Sequence, residues 1–229
     1  EHIKNKIKPA LQKKNVVIVE DAATNLGTKL GTKYVGNLAD ITCFSFHPRK
    51  IITTGEGGMV TTNKTKIMEK IRSFKFFGKK NSNFENHGIN YKISDILSSI
   101  GIEQMKKIEQ IIKKRIELAK EYNELLSKID GIESQIPSKD SRHTYQSFVC
   151  YLTKPNIRTK LIRNLKQNGI ESQIGTYAIH CLPKFKNCNR LTSLSNSEFL
   201  YQNSISLPMH GELSSNDVTL ICKIIKNSI

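Results

Sequence analysis

Three short apolar runs in the first quarter of the chain, Val16-Val17-Ile18-Val19, Ile41 to Phe46 and Met59-Val60-Thr61-Thr62, are each bounded by polar or turn-forming residues. Their length suits strands rather than helices, and the first two read as strands buried in a core. Pro9 to Lys14 reads as the end of a helix just before the first strand, with Pro9 tolerable only in a first turn. From residue 64 the period changes. Ile67, Ile71 and Phe74 recur at helical spacing over 64–77, and Gly78 to His87, rich in lysine, asparagine and serine, reads as a mobile loop. Ser94 then caps a long helix whose apolar positions, from Ile96 to Ala119, carry it to about Leu126. Around Ile129-Asp130-Gly131 the pattern changes again. Phe148 to Leu152 predicts a strand, Pro155 starts a helix that Gly169 ends, and Ile170 to Ile174 predicts a short strand. Ser214-Ser215-Asn216-Asp217 forms a capping box ahead of Val218, Ile221, Cys222 and Ile225. The division expected is residues 1–127, part of an α/β domain with its linking helix, and 128–229, a small α+β domain.

The second strand runs into Ser45-Phe46-His47-Pro48-Arg49-Lys50 and then Thr53-Thr54-Gly55-Glu56-Gly57-Gly58. Pro48 stops the ladder, so Lys50 projects from a loop at the strand's carboxyl end, where open α/β sheets place their ligands. The first strand ends in Glu20-Asp21-Ala22-Ala23, which puts a carboxylate at the same edge. A lysine amine facing a carboxylate across such a crevice is the pair that pyridoxal 5'-phosphate requires, one bonding its aldehyde carbon and the other its ring nitrogen.

These motifs, with Asn90-Tyr91-Lys92-Ile93-Ser94-Asp95, Gly169-Ile170-Glu171, Gly175-Thr176-Tyr177-Ala178-Ile179-His180 and Leu207-Pro208-Met209-His210, stand in order over nearly the whole chain. In them the sequence resembles the DegT/DnrJ/EryC1/StrS family of sugar aminotransferases. The resemblance implies the fold type I architecture of the aspartate aminotransferase class: the remainder of a large α/β domain plus a small C-terminal α+β domain. It implies that Lys50 is the lysine bonded to pyridoxal 5'-phosphate, Asp21 the partner of its ring nitrogen, and Ser45 a ligand of its phosphate. Asn90 matches an asparagine that reaches the phosphate held by a neighbouring subunit, which implies a homodimer with shared sites. Thr24 stands where many members have histidine or glutamine near the ring. The segment from Gly175 to Pro183, with Tyr177 and His180, falls at the mouth of the substrate site. The reaction implied converts a nucleotide-linked keto-sugar to an amino-sugar, with glutamate as amine donor. A dehydrating branch of the family carries histidine in place of the lysine, and Lys50 separates this chain from it. The family's phosphate-binding helix start and ring-stacking aromatic have no counterpart here, so the chain is expected to be the C-terminal portion of a longer protein. The competing expectation is a non-catalytic truncated remnant of such an enzyme.

The net charge of +16, from 36 Lys and Arg against 20 Asp and Glu, raises a third reading, a basic nucleic-acid-binding module. Lys64, Lys66, Lys70, Arg72, Lys75, Lys79 and Lys80 cluster, yet the apolar stripe between them marks these lysines as the wet face of a helix, and no zinc-finger or RRM signature accompanies them. Near a crevice such a charge attracts an anionic nucleotide-sugar. The six histidines, His2, His47, His87, His143, His180 and His210, lack HxxxH or His-carboxylate spacing, so no metal site is expected. His47 is expected to orient the lysine loop. Glu56 is read either as a ligand-facing group or as a surface carboxylate beside Arg49 or Lys50. Tyr145 and Tyr177 are read as substrate contacts or as packing residues. The five cysteines form no CxxC pair and read as small hydrophobes of a reducing compartment. With no membrane span or signal-peptide pattern in view, a cytoplasmic location is expected.

Overall fold

The computed structural model describes residues 8–12, 14 and 16–229. Glu1 and His2 lie outside the described residues, as does Lys13 within the expected helix end. In chain order the elements are α1 (Lys8–Gln12), β1 (Val19–Asp21), β2 (Lys29–Leu30), β3 (Lys33–Tyr34), β4 (Ile41–Ser45), β5 (Gly58–Thr61), α2 (Thr65–Phe74), β6 (Lys79–Lys80), β7 (Asn83–Phe84), α3 (Asp95–Lys106) and α4 (Ile108–Leu126). They continue with β8 (Ile132–Ser134), β9 (Ser141–Arg142), β10 (Phe148–Leu152), α5 (Arg158–Gln167), β11 (Gln173–Ile174), α6 (Ser195–Asn203), β12 (Ser204–Leu207) and α7 (Ser215–Lys226). Contacts gather the chain into two compact units, residues 1–112 with 138–146, and residues 113–137 with 147–229.

The first unit is built on a three-stranded sheet in the order β1-β4-β5. β1 lies parallel to β4 with Asp21 opposite Cys43, and β5 returns antiparallel with Gly58 opposite Ser45. The expected strand at Val16 begins only at Val19, and the reason is Asp40. Its carboxylate accepts from the Ile18 N–H at 2.9 Å, while the Ile18 carbonyl accepts from the N–H groups of Asp40 and Ile41. This buried side chain, paired with Lys64 Nζ at 2.9 Å, replaces a rung of the ladder. The burial expected of that run is corrected too: Val16, Val17 and Val19 are exposed, because among the described residues β1 has a neighbour on one side only.

Two further expectations are revised. The segment 78–87 folds as the β6–β7 hairpin rather than a structureless loop. Gly78 makes this possible: it sits at φ 75°, where a Cβ would meet the Asn86 carbonyl oxygen at 1.6 Å. The single long helix after Ser94 is two helices. Ser94 caps the first as expected, its Oγ accepting from the Leu97 N–H, but at Lys107 the turn tightens and the Lys107 N–H donates to the Gln104 carbonyl at 3.1 Å.

The second unit is an antiparallel sheet in the order β11-β12-β10-β8, with α5 and α7 packed against each other. β10 alternates buried and half-buried residues, and Phe148 stacks on Tyr122 of α4 with ring centres 4.7 Å apart. The Tyr122 hydroxyl donates to the Pro208 carbonyl, so the fully buried phenol is satisfied. α7 buries Val218, Ile221, Cys222 and Ile225, the face read from the sequence, and Ser214 and Asp217 form both bonds of the capping box. α5 begins at Arg158 rather than at Pro155, after Asn156 turns through φ 64°. The strand expected over 170–174 shortens to Gln173–Ile174, the two residues that find partners on β12.

Leu161 is wholly buried and Leu220 half exposed. Leu161→Ala is expected to destabilise the chain by about 2–5 kcal/mol in urea unfolding, and Leu220→Ala by about 1 kcal/mol.

Candidate active site

β4 is the central strand, and it runs into a closed loop rather than a free one. Phe46, buried, donates its N–H to the Gly57 carbonyl, and its own carbonyl accepts from both the Thr54 N–H at 3.1 Å and Thr53 Oγ1 at 2.9 Å. Ile51, Ile52 and Thr54 are buried beneath it. Within the loop, the His47 carbonyl accepts from the Lys50 N–H at 2.9 Å and His47 Nδ1 from the Arg49 N–H at 3.2 Å. His47 therefore braces the turn that presents Lys50. Lys50 itself is half-buried, and among the described residues its ammonium forms no ion pair.

The parallel register brings the ends of β1 and β4 to one edge of the sheet. Strand alternation separates the two acids of the first motif. Glu20 accepts from the buried Thr42 Oγ1 at 3.0 Å, a structural bond, while Asp21 is exposed and, among the described residues, accepts only from the Ala23 N–H at 3.0 Å. Asp21 is thus aimed by its own turn yet keeps acceptor capacity for a ligand. Thr24 lies exposed in the same turn. Ser45 ends β4, its Oγ accepting from the His47 N–H at 3.3 Å, which leaves the hydroxyl proton available to an anion. Glu56 is exposed, and among the described residues it forms no ion pair with Arg49 or Lys50.

Asn90 is held elsewhere in the first unit, bridged to Phe76 and exposed. Around it Phe76, Phe77, Phe84, Ile89 and Tyr91 are all exposed, with Lys92 Nζ 4.0 Å from the Phe76 ring centre. Tyr177 and His180 belong to the second unit. Tyr177 is exposed beside Tyr201 at 5.7 Å between ring centres, and His180 sits in the 3-10 turn Ile179–Cys181. Tyr145 is packed against His143 at 4.4 Å, with 8% exposure.

One supporting residue had no sequence signal. Gln146 donates its side-chain amide to the Arg49 carbonyl, tying the lysine loop to the segment after β9. That segment is anchored by Arg142, whose guanidinium holds both oxygens of Glu109 on α4 and keeps that carboxyl below its usual range. A glutamine 97 residues from its partner lies beyond what local pattern can find. Two of the five cysteines, Cys150 and Cys222, are buried with their thiols pushed up to about 12 by desolvation, whereas Cys188 is exposed.

Fold and site together define an α/β protein of the aminotransferase kind. The structure superimposes on an aminotransferase of this family from Brucella abortus with a TM-score of 0.89 at 27% identity, over 98% of this chain and 60% of that one. The sequence matches the DegT/DnrJ/EryC1/StrS aminotransferase family over residues 5–226, and the chain belongs to that family. It is 30% identical to a UDP-4-amino-4,6-dideoxy-N-acetyl-beta-L-altrosamine transaminase of Campylobacter jejuni, over 92% of this chain and 58% of that protein. It is 31% identical to a GDP-perosamine synthase of Escherichia coli O157:H7, over 93% and 58% respectively. The chain thus spans somewhat under two thirds of the length of the relatives it matches. No described helix is long and apolar enough to cross a membrane.

Gln146→Ala should release the lysine loop without unfolding the sheet. Hydrogen exchange at the Lys50 and Thr54 amides is expected to quicken, while that of β4 stays unchanged; equal protection in both proteins would show that the tie is idle. His143 offers a pH test. Burial lowers its pKa, and its Nδ1 accepts from the Tyr145 N–H at 3.1 Å, a bond the doubly protonated ring cannot accept. A depressed folded pKa leaves stability intact above the unfolded value of about 6.5 and erodes it as pH falls below. His143→Gln should flatten that part of the urea-midpoint against pH curve.

Proposed function

We propose that this chain carries the cofactor lysine of a pyridoxal-phosphate aminotransferase that turns a nucleotide-linked keto-sugar into an amino-sugar, with glutamate as amine donor. The observation that carries the reading is Lys50: an ammonium without an ion pair among the described residues, on a closed loop, at the sheet edge where Asp21 ends the neighbouring parallel strand. The donor set fits pyridoxal 5'-phosphate, with an amine for its aldehyde, a free carboxylate for its ring nitrogen and a strand-end hydroxyl for its phosphate. When bound, the cofactor supplies an electron sink that stabilises negative charge at the substrate carbon.

In this reading Asp21 holds the ring nitrogen's proton by charge and hydrogen bond, and the Ala23 N–H keeps the carboxylate aimed. Lys50 Nζ, once free, would take the proton from the α-carbon of the amino-acid donor and deliver it to the carbon derived from the cofactor's aldehyde, a general-base and then general-acid role. Ser45 holds the phosphate, and Thr24 approaches the ring. Asn90 reaches the phosphate of a second copy, which makes the working unit a homodimer. Tyr177 and His180 are assigned to the sugar. The relatives named for UDP- and GDP-linked amino-sugars support a nucleotide-sugar substrate, and the surplus of cations favours its approach. The proposed location is the cytoplasm.

Adding pyridoxal phosphate to the chain should produce a visible absorbance band that glutamate bleaches. Borohydride added in place of glutamate should fix the added mass on the peptide containing Lys50, and Lys50→Ala should abolish both signals. Asp21→Asn should keep the trapped mass and lose the response to glutamate by about a hundredfold or more. A trapped mass on other lysines only would overturn the assignment.

A further inference from the structure

A second cluster of chemically capable side chains lies wholly within the second unit. His180 and Cys181 are adjacent in the 3-10 turn Ile179–Cys181, and Glu198 is in the first turn of α6. One ring nitrogen of His180, Cys181 Sγ and one Glu198 carboxylate oxygen all lie within 4.8 Å of one another. His180 Nε2 is buried and has no hydrogen-bond partner among the described residues. Such an atom is normally satisfied by protein, water or an ion. Cys181 is a free, half-buried thiol. Glu198 forms no ion pair among the described residues, although the chain has 36 lysines and arginines against 20 acids. Among the described residues its carboxylate accepts only a long bond of 3.4 Å from Gln202.

We infer that His180, Cys181 and Glu198 form a binding site for a divalent cation of the zinc class. Imidazole nitrogen, thiolate and carboxylate are the ligand types that zinc takes, at about 2.0–2.3 Å, which sets tetrahedral ligands about 3.3–3.8 Å apart. The three atoms are already nearly that close, so small side-chain rotations complete the set. Binding sends the thiol proton to solvent, and thiolate plus carboxylate then balance the ion's two charges. A water fills the fourth position on the exposed Glu198 side. The oxygen-only preference of calcium and magnesium disfavours them here.

The site has a structural task. Every residue from Pro183 to Leu200 is exposed, so the segment between the two halves of the cluster has almost no apolar burial to hold it. A cation bridging the Ile179–Cys181 turn to α6 closes this loop and removes much of its freedom. His180 binds the ion through one ring nitrogen and keeps the other as a donor, so the site is compatible with a substrate contact by the same residue.

The test uses the full chain with cobalt and zinc salts and no pyridoxal phosphate. One cobalt ion per chain should bind with a thiolate-to-metal absorbance band, displaced by equimolar zinc. Cys181→Ser should abolish the band, and Glu198→Gln, at an exposed position, should weaken zinc at least tenfold in competition with a chromophoric chelator. Cys188→Ser should leave both unchanged. Zinc should also slow hydrogen exchange between residues 183 and 197. Absence of a thiolate band, affinity unmoved by Glu198→Gln, or a band that follows Cys188 instead would each overturn the site.

Discussion

The backbone of Phe46 is the constraint on which the rest of the first unit depends. Its N–H and carbonyl both reach across the base of the lysine loop, to Gly57 and to the two threonines, while its side chain is buried. The loop is thereby closed where it leaves β4, and a segment that could have been mobile becomes a fixed arc from Phe46 to Gly57. The position of the amine is set by this closure. Lys50 is presented by a turn whose bonds are supplied by His47, and its direction is set by a strand paired on both sides. Fixing an amine before a ligand arrives removes an ordering cost that binding would otherwise meet.

Much of the candidate site was legible because its determinants are local. Pro48, the glycines after Thr54 and the apolar run before Ser45 are punctuation that physics reads within a few residues, and the ordered motifs pointed to the family whose model the chain matches. The α7 face and its capping box were legible for the same reason. What escaped were events that join distant positions. Asp40 ends the ladder at Ile18 from 22 residues away, and Gln146 reaches Arg49 across 97. The β6–β7 hairpin was hidden by composition: lysine and asparagine argue for a loop, but the backbone needs only Gly78 and a turn through Asn81 at φ 52° to pair. The helix break at Lys107 left no mark, since both halves keep an apolar stripe.

The two units meet their apolar demands differently. The second closes its own core: Tyr122, Phe148, Leu152, Leu161, Leu165, Ile205, Val218 and Ile225 are essentially inaccessible. In the first, Val19 on β1 and Met59 and Val60 on β5 are exposed at the two edges of the sheet, and α3 buries no residue. A short sheet with bare apolar edges gains less from burial for each residue it orders than a sheet sealed by two helices. Protection against local opening should therefore be greatest around β10 and β12 and least at β1 and β5.

This imbalance bears on how the lysine loop stays ordered. With little help from the sheet's outer faces, the loop relies on hydrogen bonds made inside it and on the Ser141–Gln146 segment, which is itself held by the Arg142–Glu109 pair. That pair is largely solvated on the glutamate side, so it contributes less as an ion pair than as a bidentate geometric clamp. The charge surplus of the chain then takes on a specific meaning. Cations such as Lys64 and Arg142 are committed to Asp40 and Glu109 in structural pairs, whereas Lys50, nearest the candidate chemistry, is without an ion pair among the described residues. Among the described residues Lys50 shares its lack of an ion pair with most other lysines, and what sets it apart is the closed loop after β4 that presents it.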